Sequence, residues 1–139
     1  MLLLPKKPKF LKSFASKKAA TCFFKKQNKL KFSCVGLIAK ESGFIPNFQI
    51  DAMRLFLRRF LKKKGQLFFR IFPDKPITKK PNQTRLGRGK GNLKYWSFYV
   101  KKNVILLEVS GFGINSIILA LKAVKFKLAV KSCIFNKKF

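Results

Sequence analysis

The amino-acid sequence predicts an α+β domain in which two helices pack against a mostly antiparallel sheet. Segment 47–64 has the apolar period of an amphipathic helix, 114–127 is expected to form a second helix, and five shorter segments have the composition of strands. Strands, a helix, strands, a helix and a strand follow one another, an order typical of this fold class. Since 47% of the 139 residues are hydrophobic, one domain can bury a core.

Residues 1–31 are predicted to form a basic arm in front of a single domain at 32–139. The arm carries ten Lys and no acidic residue, and its Phe residues follow no regular period. We therefore expect it to be poorly ordered on its own. Its short leucine run precedes the charges and it contains no Arg, so it matches neither a secretory signal nor a mitochondrial presequence.

The first helix has the clearest pattern in the sequence. Its apolar residues fall on one helical face: Ile50, Met53, Phe56, Leu57, Phe60 and Leu61. Pro46 marks its entry, Asp51 is expected in the first turn, and Gly65 is expected to end it.

A second face of this helix carries a basic stripe. Arg54, Arg58 and Lys62 recur every fourth residue, and no acidic residue lies four positions away to balance them. A run of charges is commonly a solvated face, but the missing acidic partners favour contact with phosphate groups.

The strands are short apolar runs bounded by turn residues. They are expected at 32–39, 66–72, 93–100, 104–109 and 129–135. Three residues, 101–103, separate the third run from the fourth, so we expect these two strands to form a tight hairpin.

A long loop is predicted at 73–92, and structureless loops beyond about 12–15 residues are commonly functional. Prolines stiffen it and glycines let its backbone approach a surface closely: Pro73, Pro76, Pro81, Gly87, Gly89 and Gly91. Arginines in such a loop suit phosphates and stack on bases, which RNA offers together. The loop has no apolar anchor in the sequence, so 84–91 is expected to be mobile in the free protein.

The charge balance predicts a polyanionic partner. The chain has 33 Lys and Arg against four acidic residues, a net charge of +29, and self-repulsion would destabilise it as a free globule. Three classes fit: a structural protein bound to nucleic acid, a cationic protein on a membrane surface, and a free RNA- or DNA-binding regulator. Glycines that alternate with cations favour nucleic acid over a membrane surface.

Catalysis, cofactor binding and membrane insertion are not predicted. The chain has no His and its acidic residues are scattered, so neither an acid–base pair nor a metal site can be assigned. The thiols of Cys22, Cys34 and Cys133 are expected to be idle in a reducing compartment. The apolar stretch from Val104 is interrupted by Glu108 and a Gly-x-Gly turn, which makes it too short to span a membrane.

One stretch carries a resemblance to a known family. The sequence FFRIFPDKPITKKPNQTRLGRGKGNLKYW, at 68–96, closely resembles the signature of the bacterial and organellar large-subunit ribosomal protein L-sixteen family. MLLLPKKPKF at 1–10 and GFIPNFQIDAMR at 43–54 are also similar to that family. The resemblance implies that no cleaved presequence precedes the domain.

The resemblance also implies a hammerhead-like fold bound to large-subunit rRNA near the aminoacyl-tRNA site, beside neighbouring large-subunit proteins. It implies that 81–92 reaches toward the peptidyl transferase centre and the tRNA acceptor arm, while ribosomal RNA performs the chemistry. Two segments depart from the family. The arm at 13–30 is rich in Phe and Lys instead of Gly and Arg, and the second helix is unusually apolar and basic.

These expectations assign two groups of residues. The candidate rRNA-binding residues are Lys6, Lys7, Lys9, Lys12, Arg54, Arg58, Arg59, Lys62, Lys63 and Arg70. The candidate loop near tRNA and the peptidyl transferase centre comprises Lys75, Lys79, Lys80, Arg85, Gly87, Arg88, Gly89, Lys90 and Gly91. Abundant Lys and Phe indicate an AT-rich genome, so the expected location is the mitochondrial large ribosomal subunit, with plastid and bacterial ribosomes as alternatives.

Overall fold

The computed structural model describes residues 3–14, 29–62, 64–85, 87–111 and 113–137. Within them the elements, in chain order, are β1 (Val35–Ala39), β2 (Gly43–Pro46), α1 (Asn47–Phe60), β3 (Gln66–Phe69), β4 (Lys75–Lys79), β5 (Asn92–Val100), β6 (Ile105–Ser110), α2 (Ile114–Val124) and β7 (Ser132–Asn136). One turn of 3-10 helix, Lys125–Lys127, follows α2. These elements confirm the predicted α+β class.

The strands form two antiparallel sheets where one was expected. Strands β3, β6, β1 and β7 lie in that order in a four-stranded sheet, and β2, β5 and β4 lie in that order in a three-stranded sheet. Helix α1 contacts β2 and β5 of the smaller sheet and β3 of the larger one, whereas α2 contacts β1 and β7. Helix α1 therefore bridges the two sheets, with α2 packed beside it.

The predicted hairpin between 93–100 and 104–109 is wrong, because β5 and β6 lie in different sheets. The intervening residues turn the chain from one sheet into the other. The N–H of Asn103, whose φ is 66°, donates to the carbonyl oxygen of Ala39 at 2.8 Å and so ties this turn to the end of β1. Strand β6 is buried from Ile105 to Val109 and pairs along both edges, as a central strand does.

Apolar residues of both helices and the central strands form the core. Ile50, Met53 and Leu57 of α1 are fully buried, as the helical period predicted. They belong to the same cluster as Leu121 of α2, and each such side chain contributes about 1.5–3 kcal/mol by leaving water. Phe60, the last residue of the helix, was predicted on this face but is 41% exposed.

Helix α1 ends differently from the prediction. Asp51 lies beyond the first turn, which holds no acidic residue. The helix stops at Phe60, and Lys62 takes a φ of 45°, the left-handed conformation that typically follows a helix. A lysine therefore ends the helix where Gly65 was expected to do so.

The predicted loop at 73–92 is wrong in its first part, because Lys75–Lys79 form strand β4. Strand β4 pairs with β5, placing Pro76 opposite Trp96. It is an edge strand of its sheet, where proline is tolerated because the edge N–H has no ladder partner to lose. Between β4 and β5, the described residues 80–85 and 87–91 have neither helix nor strand.

Candidate RNA-binding surface

Most of the cations predicted to bind RNA have exposed side chains. They are Lys6, Lys7, Lys9, Lys12, Arg58, Arg59, Lys62, Lys75, Lys79, Lys80, Arg85, Arg88 and Lys90. Lys63 was predicted with them and lies outside the described residues. Because the chain has four acidic residues against 33 Lys and Arg, little of this charge can be neutralised internally.

Arg54 departs from the expected basic stripe. Its Nη2 lies 3.4 Å from Oδ1 of Asp51, one turn earlier on α1, and both side chains are partly buried. The other carboxylate oxygen of Asp51 accepts from the N–H of Leu3 at 3.5 Å. The sequence analysis considered acidic residues four positions away, whereas Asp51 pairs with Arg54 from three positions away. Its carboxylate also joins the helix to the start of the arm.

Arg70 occupies a buried ion pair instead of a free phosphate-binding position. Its Nη1 donates to Oε1 of Glu108 at 2.7 Å, and the Glu108 side chain is fully buried. A buried carboxylate is tolerated only when it is paired and hydrogen-bonded, so this contact commits the guanidinium to the fold.

The second oxygen of Glu108 is held by the backbone. It accepts from the N–H groups of Lys31, Phe32 and Ser33 at 3.0, 2.8 and 3.2 Å. These residues connect the arm to β1, so the carboxylate fixes the point where the arm leaves the sheet. The sequence contained a signal for this role, since Glu108 is a single acidic residue inside the apolar run VILLEV.

The three glycines of the loop have different roles. Gly87 and Gly89 have φ values of 84° and 65°, and a Cβ at either position would meet nothing within 4 Å. At Gly91, a Cβ would lie 2.5 Å from the carbonyl carbon of Lys79, so glycine is required for close contact within the protein. The requirement for glycine at position 91 therefore has an internal cause besides the expected approach to an outside surface.

The arm and the loop contact each other through a reciprocal pair of lysines. Lys12 Nζ donates to the carbonyl oxygen of Lys90 at 3.1 Å, and Lys90 Nζ donates to the carbonyl oxygen of Ser13 at 2.6 Å. The Lys90 ammonium also lies 4.6 Å from the ring centroid of Phe14. The contacts of the loop shown here are with the arm, so the expected lack of an apolar anchor within the domain stays a prediction. We call residues 3–14, 80–85 and 87–91 together the arm–loop surface.

The cations at the end of α1 are not bonded to the arm–loop surface in the described part of the chain. Within the described residues, no hydrogen bond or ion pair joins Arg58, Arg59 or Lys62 to the arm–loop surface. Among the cations that the sequence singled out, the structure therefore brings Lys12 of the arm into contact with Lys90 of the loop.

The described residues offer neither a metal site nor a membrane span. They contain no group of three or more His, Cys, Asp or Glu side chains that could hold a metal ion. Cys34 and Cys133 are free, partly buried thiols, and Cys22 lies outside the described residues. None of the helices in these segments is long and apolar enough to cross a bilayer.

The sequence is similar to ribosomal proteins along nearly its whole length. Residues 5–135 match the family model described as Ribosomal protein L16p/L10e. The large ribosomal subunit protein uL16c of Euglena longa is 40% identical over 136 residues, which cover 98% of this chain and 99% of that protein. The large ribosomal subunit protein uL16 of Buchnera aphidicola subsp. Cinara cedri is 36% identical over 137 residues, 98% of each chain. That of Blochmanniella pennsylvanica is 36% identical over 137 residues, 99% of this chain and all of the relative.

Proposed function

The chain belongs to the ribosomal protein L16p/L10e family, and from this premise we propose that it binds large-subunit rRNA near the aminoacyl-tRNA site and supports the positioning of tRNA at the peptidyl transferase centre. Family membership makes the chain a structural protein of the large ribosomal subunit and not an enzyme. Its partners are accordingly rRNA and other ribosomal proteins.

The arm–loop surface is the observation that carries the proposal. The sequence from Lys75 to Leu107 contains no acidic residue, so nothing on the loop repels phosphate. Lys12 and Lys90 join the arm to the loop, which places two cationic segments side by side. Phosphate contacts of this kind supply affinity and orientation, and most of the free energy comes from the release of counterions.

The tip of the loop is proposed to lie close to the tRNA acceptor arm. The two ends of the loop are fixed by the pairing of β4 with β5. At Gly87 and Gly89, in contrast, a Cβ would meet nothing within 4 Å. Arg88 lies between these two glycines and Arg85 precedes them. A guanidinium can both pair with phosphate and stack on a base. A fixed stem with an open arginine-rich tip fits a segment that reaches RNA away from the body of the domain.

The proposed location is the mitochondrial ribosome, with plastid and bacterial ribosomes as the alternatives. The named relatives belong to organellar and bacterial large subunits, so they support the ribosome in general. The choice of mitochondrion rests on the skew toward Lys and Phe, which AAA and TTT codons produce in AT-rich genomes.

Replacement of Arg85 and Arg88 by Ala tests the proposal. Both side chains are exposed, so the fold should persist while subunit maturation and peptide-bond formation with full-length tRNA slow down. The matched control is the double variant Lys40→Ala and Lys122→Ala, which removes the same charge from exposed positions outside the arm–loop surface.

Two outcomes would refute the proposal. The first is wild-type maturation and peptide-bond formation in particles that carry both arginine substitutions. The second is flotation of the wild-type protein with anionic vesicles in place of comigration with large subunits in a high-salt sucrose gradient.

A further inference from the structure

An open cleft of about 300 Å³ lies between the arm and the three-stranded sheet. Its lining includes Lys9, Phe10, Phe72, Asp74, Lys75 and Trp96. Pro76 and Trp96, which face each other across β4 and β5, are buried and contribute its rigid side. The arm contributes the opposite side, so the cleft exists only where the arm lies along the sheet.

Two phenyl rings at the cleft remain open to solvent. The side chain of Phe10 is 67% exposed and that of Phe72 is 46% exposed, although both residues line a concave site. Aromatic surface left open in a cleft is suited to a planar ligand, because stacking removes both partners from water.

The cleft that contains these two phenyl rings is also lined by charged side chains. Lys9 Nζ lies 5.6 Å from the ring centroid of Phe10, which places a cation next to a stacking surface. Lys75 Nζ lies 4.0 Å from Oδ2 of Asp74, and both side chains are 55% exposed, so the pair is solvated and free to exchange partners. The lining thus provides cations for a phosphate and one carboxylate that can accept a hydrogen bond.

We propose that this cleft binds one unstacked nucleotide of single-stranded RNA. The base stacks on Phe10 or Phe72, Lys9 and Lys75 contact the flanking phosphates, and Asp74 accepts a hydrogen bond from an exocyclic amino group of the base. This inference rests on the proposed function, since it specifies how a chain that binds rRNA holds one looped-out nucleotide.

A nucleotide fits the cleft better than an acidic peptide does. The lining carries two lysines and one carboxylate, so its net charge is positive and would also attract an acidic peptide. Asp74, however, would repel the carboxylate of such a peptide. The exocyclic amino group of the base donates a hydrogen bond to Asp74, and the phosphates of the RNA strand pair with Lys9 and Lys75. Stacked bases also use the ring faces of Phe10 and Phe72 whatever their sequence.

The single Trp of the chain makes the cleft directly observable. Trp96 lines the cleft at 6% exposure, so its fluorescence should respond when a base enters. The probes are a single-stranded oligocytidine of about 12 nucleotides and an abasic ribose-phosphate strand of the same length. Both strands carry the same phosphates, and only the first carries bases.

We expect the oligocytidine to bind about tenfold more tightly than the abasic strand and to quench Trp96. The double variant Phe10→Leu and Phe72→Leu should lose this difference while it keeps salt-dependent binding of both strands. Leucine retains apolar bulk without a π face, and both positions are exposed, so the fold should persist. The control is Phe126→Leu, which removes an 81% exposed ring with Lys125 Nζ at 5.0 Å from its centroid, outside the cleft.

Equal affinity for the two strands in the wild-type protein would overturn the cleft proposal and leave RNA binding intact. Quenching of Trp96 by a Glu-rich aromatic peptide, without quenching by oligocytidine, would also overturn it. Failure of both strands to bind would instead refute the proposed function, so the two failures are distinguishable.

Discussion

Arg70 and Glu108 form a 2.7 Å ion pair between neighbouring strands of the four-stranded sheet. Glu108 lies on β6, and Arg70 directly follows β3. The same carboxylate accepts from three consecutive N–H groups that end with Ser33, just before β1. One buried acidic residue therefore holds three parts of the chain together.

Replacement of Arg70 by Leu should destabilise the protein strongly. The variant leaves Glu108 charged and fully buried without its cation, a change that typically costs about 3–5 kcal/mol. Urea unfolding followed by circular dichroism measures the loss. The control is Arg59→Leu, because Arg59 is exposed and should cost less than about 1 kcal/mol. An Arg70→Leu variant as stable as this control would show that the pair is not structural.

Lys90 is expected to hold the arm against the loop. Replacement by Ala removes its hydrogen bond to Ser13 and its contact with the Phe14 ring, so the arm should leave the surface more often. Chymotrypsin should then cleave after Phe14 about threefold faster, a change that fits the loss of one exposed hydrogen bond. Lys80→Ala removes the same charge from the loop and serves as the control. Equal cleavage of the two variants would contradict the contact.

Glycine should matter more for folding at position 91 than at position 87. Gly91→Ala places a Cβ 2.5 Å from backbone atoms of Lys79 at the base of the loop, and such overpacking typically costs about 1–3 kcal/mol. In Gly87→Ala the new Cβ meets no neighbour. The variant is destabilised only by backbone strain at a φ of 84°, about 1–2 kcal/mol, and a loop can relax this strain. Urea midpoints of the two variants test the order. A lower midpoint for Gly87→Ala would contradict the structure.

Binding to RNA should depend steeply on salt. Each phosphate neutralised adds about 0.7–0.9 to the slope of log affinity against log salt. Replacing Arg85 and Arg88 by Ala should lower that slope for a transcript of large-subunit rRNA, as measured by fluorescence anisotropy. The Lys40→Ala and Lys122→Ala control should leave the slope nearly unchanged. An affinity insensitive to salt would rule out a role for the arm–loop surface in phosphate contact.

Local patterns in the sequence predicted the helices and the class of fold. The burial of Ile50, Met53 and Leu57 follows directly from their helical spacing, because one face of an amphipathic helix must leave water. Strands β2 and β4 were not predicted, since each is four or five residues long and contains a proline. Prolines weaken the signal of a strand, and only pairing with β5 reveals that these are edge strands.

Contacts between distant residues could not be read from the sequence. Lys12 and Lys90 are 78 residues apart, and Arg70 and Glu108 are 38 apart, so their meeting depends on the arrangement of both sheets. For the same reason Arg70 was predicted among the RNA-binding cations, although it pairs with Glu108 inside the protein. The exposed cations of the loop were predictable, because a charged residue without an internal partner remains in water.

Photo-crosslinking from the loop tests the central claim most directly. Large ribosomal subunits are prepared with p-benzoylphenylalanine in place of Arg88, and with the same group in place of Lys122 as the control. Position 88 should crosslink to large-subunit rRNA and, when aminoacyl-tRNA is bound, to its acceptor arm, whereas position 122 should give no tRNA crosslink. Subunits that contain the protein but yield no RNA crosslink from position 88 would contradict the proposed placement of the loop.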